Sequence, residues 1–234
     1  MIIPWGTIIN VIAVIIGSIL GLAIKGSLKD KYKLIVFQSL GLLTIVIGVS
    51  MALQMKNPLI IIFSVIIGGL IGEFINLDML FEKLAEKIKK LFKFKEQKFV
   101  DGLITAFLLF CVGSMTILGS IQEGTSGNKD LLITKSVLDG FSSIALASTF
   151  GIGVLFSIVP MFVFQGGMTI LASQLGNLFS TDLISYISAI GGILIFAIGI
   201  NLLELKKIKV VNLLPSILVV VLIFLTLTKL GISF

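Results

Sequence analysis

Long apolar runs, separated by short polar or lysine-containing connections, dominate the hydrophobic pattern of the chain. The runs reach about 20 residues, the length that an α-helix needs to cross the hydrocarbon core of a bilayer. The pattern predicts an all-α, polytopic membrane helix bundle with about eight spans. The predicted spans are residues 4–24, 34–55, 58–76, 102–122, 131–150, 154–175, 183–203 and 210–228.

The fifth and sixth spans share one uncharged stretch, Gly140 to Thr181, which runs for 42 residues. A single helix of that length would measure about 63 Å, roughly twice the thickness of the hydrocarbon core. The sequence Gly151-Ile152-Gly153 is the natural breaking point, because glycine tolerates backbone conformations that other residues resist. A re-entrant pair that never fully crosses the membrane is the alternative, since it gives the same parity of crossings.

The distribution of lysine supports an even number of spans. Fourteen of the eighteen lysines fall in the connections after the first, third and seventh predicted spans, within residues 25–33, 83–98 and 206–209. Basic residues accumulate on the cytoplasmic side of membrane proteins. We therefore expect a multi-pass protein of the cell membrane, with the lysine-rich connections in the cytoplasm and both the N-terminus and the C-terminus outside.

The connection after the third span has an amphipathic pattern. Between residues 78 and 98, one helical face carries Leu80, Leu84, Ile88 and Leu91, and the opposite face carries lysines and glutamates. A basic amphipathic helix beside a span is typical of a segment that lies on the anionic cytoplasmic leaflet. The segment either makes a lipid or regulatory contact or anchors the two halves of the protein.

The second and seventh spans resemble each other around paired glycines, Gly41 with Gly48 and Gly192 with Gly199. These spans would run in opposite directions, so the similarity predicts an inverted-topology repeat, a common construction of secondary transporters. A duplication with a structural role alone is the alternative. The predicted division is 1–77 as the first three-span repeat, 78–98 as the cytoplasmic interfacial helix, 99–150 as two inserted polar-rich spans and 151–234 as the second three-span repeat.

Composition excludes several classes of protein. Hydrophobic residues make up 57% of the chain, charged residues only 13%, and the mean hydropathy is +1.18, which excludes a soluble enzyme and a disordered chain. Arginine and histidine are absent and Cys111 is the one cysteine, so the usual phosphate clamps, general bases and cysteine metal sites are missing. We expect no enzyme activity, no cofactor and no metal site. The net charge of +6 reflects lysine placement, and we expect no nucleic-acid partner.

Polar side chains inside apolar spans are the main functional candidates, because hydrocarbon disfavours them. Lys135 and Asp139 share a helical face, so Asp139 could bind a cation or proton with Lys135 as its counter-charge, or the two could form a satisfied structural pair. For Asn10, interhelical hydrogen bonding is the default role. The predicted ion or substrate pathway comprises Asn10, Gln122, Glu123, Lys135, Asp139, Ser142, Ser143, Gln165, Gly166 and Gly167.

Two candidate segments leave alternatives open. Gln122 and Glu123 lie among glycines where the fourth span should leave the membrane, and they either face a cation or belong to a flexible extracellular loop. Pro160 and the Gln165-Gly-Gly sequence interrupt the sixth span. They predict either a broken helix that exposes backbone and the Gln165 amide, or a simple kink.

Short stretches along essentially the whole chain resemble one family, most specifically between residues 110 and 157. They are Gly-Thr-Ile-Ile-Asn at 6–10, Gly-Gly-Leu-Ile-Gly-Glu at 68–73, Phe-Val-Asp-Gly at 99–102, Phe-Cys-Val-Gly-Ser-Met at 110–115, Leu-Gly-Ser-Ile-Gln-Glu-Gly at 118–124, Lys-Ser-Val-Leu-Asp-Gly at 135–140, Gly-Ile-Gly-Val-Leu-Phe-Ser at 151–157 and Asn-Leu-Leu-Pro at 212–215. They are similar to the bacterial YqgA/YdfK-like membrane proteins, domain-of-unknown-function family 554. The resemblance implies a bacterial cytoplasmic membrane protein of several spans and carries over no catalytic residues.

The sequence favours a secondary transporter or channel for a small ion or polar solute. Membrane lipids and a second copy of the chain, in a homodimer, are the further predicted partners. The small-xxx-small pairs Gly17 with Gly21 and Gly68 with Gly72 predict close helix packing, within a subunit or across a dimer. A non-transporting scaffold, sensor or assembly partner that acts through the 78–98 helix is the alternative.

Overall fold

The computed structural model describes residues 3–25, 30–91, 98–111, 114–175 and 180–230. Over those residues the regular structure is helical and no strand occurs, as the sequence predicted. The helices are α1 (Trp5–Lys25), α2 (Asp30–Ala52), α3 (Pro58–Ile75), α4 (Leu77–Leu91), α5 (Phe99–Cys111), α6 (Ser114–Ser126), α7 (Asp130–Phe150), α8 (Gly153–Phe156), α9 (Ile158–Met161), a π-helical turn (Phe162–Gly166), α10 (Gly167–Leu175), α11 (Thr181–Leu202), a 3₁₀ turn (Val210–Leu213) and α12 (Pro215–Lys229).

Most of the predicted spans coincide with helices that are long and apolar enough to cross a membrane, which confirms a polytopic helical bundle. The described residues contain six such segments, or seven if α5 and α6, which meet at a bend of 56°, form one span. The second predicted span falls on α2, in which Gly41–Ala52 is a shorter apolar helix. The count of eight therefore stays a prediction. The six segments are Trp5–Lys25, Pro58–Ile75, Asp130–Phe150, Gly153–Gln174, Thr181–Leu202 and Val210–Lys229.

The uncharged stretch breaks where the sequence predicted it would. Helix α7 ends at Phe150, Gly151 has a φ of 86°, and α8 begins at Gly153. This φ lies in the region that favours glycine. A Cβ atom built on Gly153 would lie only 2.0 Å from the carbonyl oxygen of Phe99, so the second glycine allows the chain to pass against α5.

The chain divides into two compact units. Unit 1 comprises Met1–Gln38 with Leu84–Phe179, and unit 2 comprises Ser39–Lys83 with Ser180–Phe234. The predicted repeats concern the similarity and direction of spans rather than their packing, and the division into 1–77, 78–98, 99–150 and 151–234 stays a prediction.

Unit 1 is built on the contact between α1 and α7. A Cβ atom on Gly17 would lie 2.1 Å from the carbonyl oxygen of Gly140, and one on Gly21 would lie 2.4 Å from that of Ile144. The two backbones therefore touch at positions where a side chain does not fit. Because the paired residue numbers rise together along both helices, α1 and α7 run parallel.

Helices α6 and α10 also pack side by side in unit 1. Gly124 lies against the backbone of α10, where a Cβ atom would come within 2.3 Å of the carbonyl oxygen of Thr169. The hydroxyl of Ser120 lies 3.4 Å from the carbonyl oxygen of Gln165. These pairs show that α6 and α10 run parallel.

Unit 2 has two antiparallel glycine contacts. In α2 and α11, a Cβ atom on Gly48 would lie 2.7 Å from the carbonyl oxygen of Gly192, and one on Gly199 would lie 2.9 Å from that of Gly41. In α3 and α12, Gly68 packs in the same way on Ser216. The small-residue pairs therefore pack within the chain, and a homodimer stays a prediction.

The amphipathic segment is helical as α4, although residues 92–97 of the predicted 78–98 and the side chain of Ile88 lie outside the described part. Its Leu80 and Leu84 are about half exposed. The start of α4 is held by Asn212, whose Oδ1 accepts the backbone N–H of Asp78 at 2.6 Å. Asn212 Nδ2 in turn donates to Glu73 Oε2 at 2.6 Å.

Candidate functional site

Asn10 joins three elements in the interior of unit 1. Its Nδ2 donates to Asp139 Oδ2 of α7 at 2.9 Å and to Gln165 Oε1 of the π-helical turn at 3.0 Å. Its side chain is fully buried. The contacts of Asn10 therefore bring residues 129 and 155 positions further along the chain into one cluster. We call this set, Asn10 with Lys135, Asp139 and Gln165, the amide–carboxylate cluster.

Lys135 and Asp139 form a buried ion pair within α7. Their side chains are only 6% and 10% exposed, and the lysine Nζ contacts the same Asp139 Oδ2 that accepts from Asn10. The ammonium group also lies 5.9 Å from the ring centroid of Phe110, where the ring face attracts a cation. On insertion scales, a lysine or aspartate at the centre of a membrane helix costs about 2.5–3.5 kcal/mol. The contacts with Asn10 and Phe110 therefore offset part of the cost of burying the pair.

The π-helical turn sets the position of Gln165. Pro160 lacks a backbone N–H, and the span around it consists of the short helices α8 and α9, the wide turn and α10. The Gln165 carbonyl oxygen lies 3.2 Å from the hydroxyl of Thr169. Its side chain is fully buried and faces Asn10. The sixth predicted span is therefore irregular over several residues rather than kinked at one.

Glu123 caps the start of α1. Its Oε1 accepts the backbone N–H of Gly6 at 2.7 Å, and its Oε2 lies 3.4 Å from the hydroxyl of Thr169. The first N–H groups of a helix have no partner within it and favour a negative charge. Since α6 extends to Ser126 and Glu123 is only 3% exposed, the alternative of a flexible loop at this residue is wrong.

The other predicted residues lie around the cluster or away from it. Ser143 is buried, but its hydroxyl donates at 2.7 Å to the carbonyl oxygen of Gly140 in its own helix. Gln122 and Ser142 are half-buried, and neither has a side-chain hydrogen bond to the cluster among the described contacts. Gly166 is buried and Gly167 is half-buried; a Cβ atom on Gly166 would lie 3.7 Å from the methyl group of Thr7, and one on Gly167 would meet nothing within 4 Å.

Two residues near the cluster were not predicted from the sequence. Thr7 and Thr169 are fully buried. Thr7 precedes Asn10 by three residues and Thr169 follows Gln165 by four, so each shares a helical face with a predicted residue. That spacing is the signal that could have revealed them.

Three buried polar atoms of this region have no hydrogen-bond partner within the described chain. They are Thr7 Oγ1, Asn10 Oδ1 and Gln165 Nε2. Buried polar atoms are normally paired, so such a group at one place needs an explanation. Among the described residues no group of three or more carboxylate, cysteine or histidine side chains could hold a metal ion.

These features define a polytopic helical membrane protein with a buried, partly unsatisfied polar cluster in one of its two units. The chain belongs to the family described as "Protein of unknown function (DUF554)", whose model matches residues 5–225. The family resemblance drawn from the sequence is thereby confirmed.

Two relatives extend this result. The chain is 38% identical over 234 residues to the "Uncharacterized membrane protein YdfK" of Bacillus subtilis (strain 168), with 98% of this chain and 100% of the relative covered. It is 28% identical over 218 residues to the "Uncharacterized protein YqgA" of Escherichia coli (strain K12), with 91% and 93% covered. No solved structure matches the chain.

Proposed function

We propose that the chain is a secondary transporter or channel that moves a small ion or polar solute across the bacterial cytoplasmic membrane, and that it is not an enzyme. The observation that carries the proposal is the amide–carboxylate cluster. Lys135, Asp139 and Glu123 are nearly inaccessible to solvent inside an apolar helical unit. Ionisable groups at such positions typically mark substrate or ion pathways.

A purely structural role explains less of the cluster. A structural ion pair is stable when every polar atom around it has a partner, because half-satisfied buried networks are costly. Here Asn10 Oδ1 and Gln165 Nε2, on the two amides joined through the cluster, have none. A passing solute would satisfy them, whereas a scaffold gains nothing from leaving them unpaired.

Helix direction supports the predicted topology of the pathway. The parallel arrangement of α1 and α7 requires an odd number of crossings between them, which the three predicted spans 34–55, 58–76 and 102–122 supply. With these three crossings, the lysine-rich connections after the first and third predicted spans would lie on the same side of the membrane, as expected for the cytoplasmic face.

Flux measurements in proteoliposomes test the proposal. Asp139→Asn preserves the shape and an oxygen that accepts from Asn10, but removes the charge. We expect this variant to fold and to reduce flux at least tenfold. Asp130→Asn is the matched control, because Asp130 is an exposed residue of the same helix.

The same flux measurements distinguish transport from the alternative function of a scaffold or sensor. If wild-type protein moves neither ions nor small polar solutes faster than protein-free liposomes do, the transport proposal is wrong. If activity in cells then depends on Lys83 and Lys87 of α4 and not on Asp139, the interfacial helix carries the function instead.

A further inference from the structure

We infer that the ligand of the amide–carboxylate cluster is a small solute that carries both a hydrogen-bond donor and an acceptor, either uncharged or zwitterionic. The inference rests on the proposed function and narrows its substrate class by excluding a bare inorganic ion. The inference follows from which polar atoms of the Asn10 and Gln165 side-chain amides already have a hydrogen-bond partner.

The orientation of the Asn10 amide is fixed by its neighbour. Asp139 Oδ2 already accepts from the Lys135 ammonium group, so it is the NH₂ group of Asn10 that faces this oxygen, at 2.9 Å. The second N–H of that group is directed to Gln165 Oε1 at 3.0 Å. Both donors of Asn10 are thus occupied, and its Oδ1 is a buried acceptor without a partner.

The orientation of the Gln165 amide follows from that of Asn10. Since Gln165 Oε1 accepts from Asn10, the Gln165 Nε2 group points elsewhere with two donors. It is fully buried and has no partner within the described chain. One acceptor oxygen of Asn10 and one NH₂ group of Gln165, with its two N–H donors, therefore remain unpartnered on adjacent side chains.

Simple ions do not match this pair of atoms. A bare cation would satisfy Asn10 Oδ1 but would be repelled by the N–H groups of Gln165. A bare anion would satisfy Gln165 Nε2 but not Asn10 Oδ1, and it would meet Glu123 and Asp139 with only Lys135 to offset them. A solute that carries both an N–H or O–H and an oxygen offers a partner to each of these atoms, and the unpartnered hydroxyl of Thr7 can either donate to it or accept from it.

The experiment compares solute and ion flux in the same liposomes of phosphatidylethanolamine and phosphatidylglycerol containing the purified full chain. Light scattering records swelling in gradients of glycerol, urea or glycine, and a potential-sensitive dye records K⁺ and Na⁺ movement. We expect the wild-type protein to accelerate swelling several-fold with at least one solute. Gln165→Glu keeps the oxygen facing Asn10 but replaces the donor, and it should lower that rate at least tenfold.

A second test variant and a matched control accompany Gln165→Glu. Thr7→Val removes the unpartnered hydroxyl with little change in shape, breaks no described hydrogen bond, and should lower the same rate several-fold even if Gln165→Glu fails to fold. Gln174→Glu is the matched control, because Gln174 is exposed on α10, and its rate should equal that of wild type.

The results separate the inference from the proposed function. Movement of K⁺ or Na⁺ without solute-driven swelling would overturn the inference and leave transport standing. Wild-type rates in both Gln165→Glu and Thr7→Val would also overturn it. Absence of any flux would overturn both, and would be expected if a permanently held water molecule satisfied the two amides.

Discussion

Removal of Lys135 alone should destabilise the protein strongly, because Asp139 would lose its counter-charge in an apolar interior. In Lys135→Met the carboxylate retains only the hydrogen bond from Asn10, and the contact of the ammonium group with Phe110 is lost as well. Breaking one side of a buried ion pair costs about 3–5 kcal/mol. For a chain of this size we expect the unfolding temperature to fall by about 10 °C.

Removing both charges should restore most of the stability. In the double variant Lys135→Met with Asp139→Asn, the amide oxygen still accepts from Asn10 and neither position of the former ion pair carries a charge. Replacement of a complete buried pair by neutral groups is often close to neutral, so we expect a free energy of unfolding within about 1 kcal/mol of wild type. The double variant should nevertheless lose flux, since the charged group of the pathway is gone.

The single cysteine provides the assay. Cys111 is fully buried, so a thiol-reactive fluorescent dye should label it only when unit 1 opens on heating. The exposed pair of Lys56 and Asp182 is the control, and Lys56→Met should hardly change the unfolding temperature. Two results would refute this role of the ion pair: an unfolding temperature of Lys135→Met within about 3 °C of wild type, or a double variant that is less stable than Lys135→Met. Either would mean that Lys135 and Asp139 do not stabilise the protein by neutralising each other's charge.

Three further predictions concern packing, capping and pH. Gly17→Ala should lower the unfolding temperature or abolish folding, because its Cβ atom would lie 2.1 Å from a backbone oxygen of α7. Gly167→Ala is the control and should be tolerated, because its Cβ atom would meet open space. Equal unfolding temperatures of the two variants would contradict the close packing of α1 on α7. Glu123→Gln keeps an acceptor for the first-turn backbone amide of α1, so it should lower the free energy of unfolding by only about 0.5–1 kcal/mol, through loss of charge at the helix start. Glu123→Ala leaves that amide unpaired and should lower the free energy of unfolding by about 1–3 kcal/mol. Thermal unfolding of the two variants measures the difference. The hydrogen bond to Glu73 raises the pKa of Lys209 above its ordinary value of 10.5. The stability that this ion pair contributes is therefore complete below pH 10.5 and is lost as the pH rises through the raised pKa. Unfolding curves of wild type and Lys209→Met should converge in that pH range, and a constant difference between them would refute a stabilising role of the pair.

Local patterns were sufficient to predict the helical framework. The break near Gly151 follows from helix length against bilayer thickness, and the pairing of Lys135 with Asp139 follows from their spacing in one helix. The role of Asn10 did not follow, because its partners lie 129 and 155 residues away and periodicity carries no information at that range.

Glycine was the residue most easily misread. The glycines around Glu123 suggested a loop, but Gly124 lies within a helix and allows α10 to approach, since a Cβ atom there would meet the backbone at 2.3 Å. In membrane helices, small residues such as glycine are enriched where two helices come into close contact. Composition alone does not separate the two roles, because the facing helix must be known.

The similarity of the second and seventh spans has two explanations, an inverted repeat and the requirements of close helix packing. Gly48 lies against Gly192 and Gly199 lies against Gly41, so the two spans contact each other reciprocally through the residues that make them similar. A spacing of seven residues brings each glycine back to the same face after about two turns. Antiparallel packing alone would select that spacing in both helices, and the inverted repeat therefore needs evidence beyond the glycines.

The arrangement of α1 limits one possible route through the proposed pathway. Near its start, one face of α1 carries Asn10 of the amide–carboxylate cluster and Thr7 beside that cluster, each with a buried atom that has no partner among the described residues. Further along, Gly17 and Gly21 bring the backbones of α1 and α7 into contact, so no solute can pass between these two helices there. A solute held at Asn10 could continue between α1 and α7 only if the two helices separated at the glycines. Since breaking such a contact takes a conformational change, the proposed transport would require alternating access if its route ran between α1 and α7.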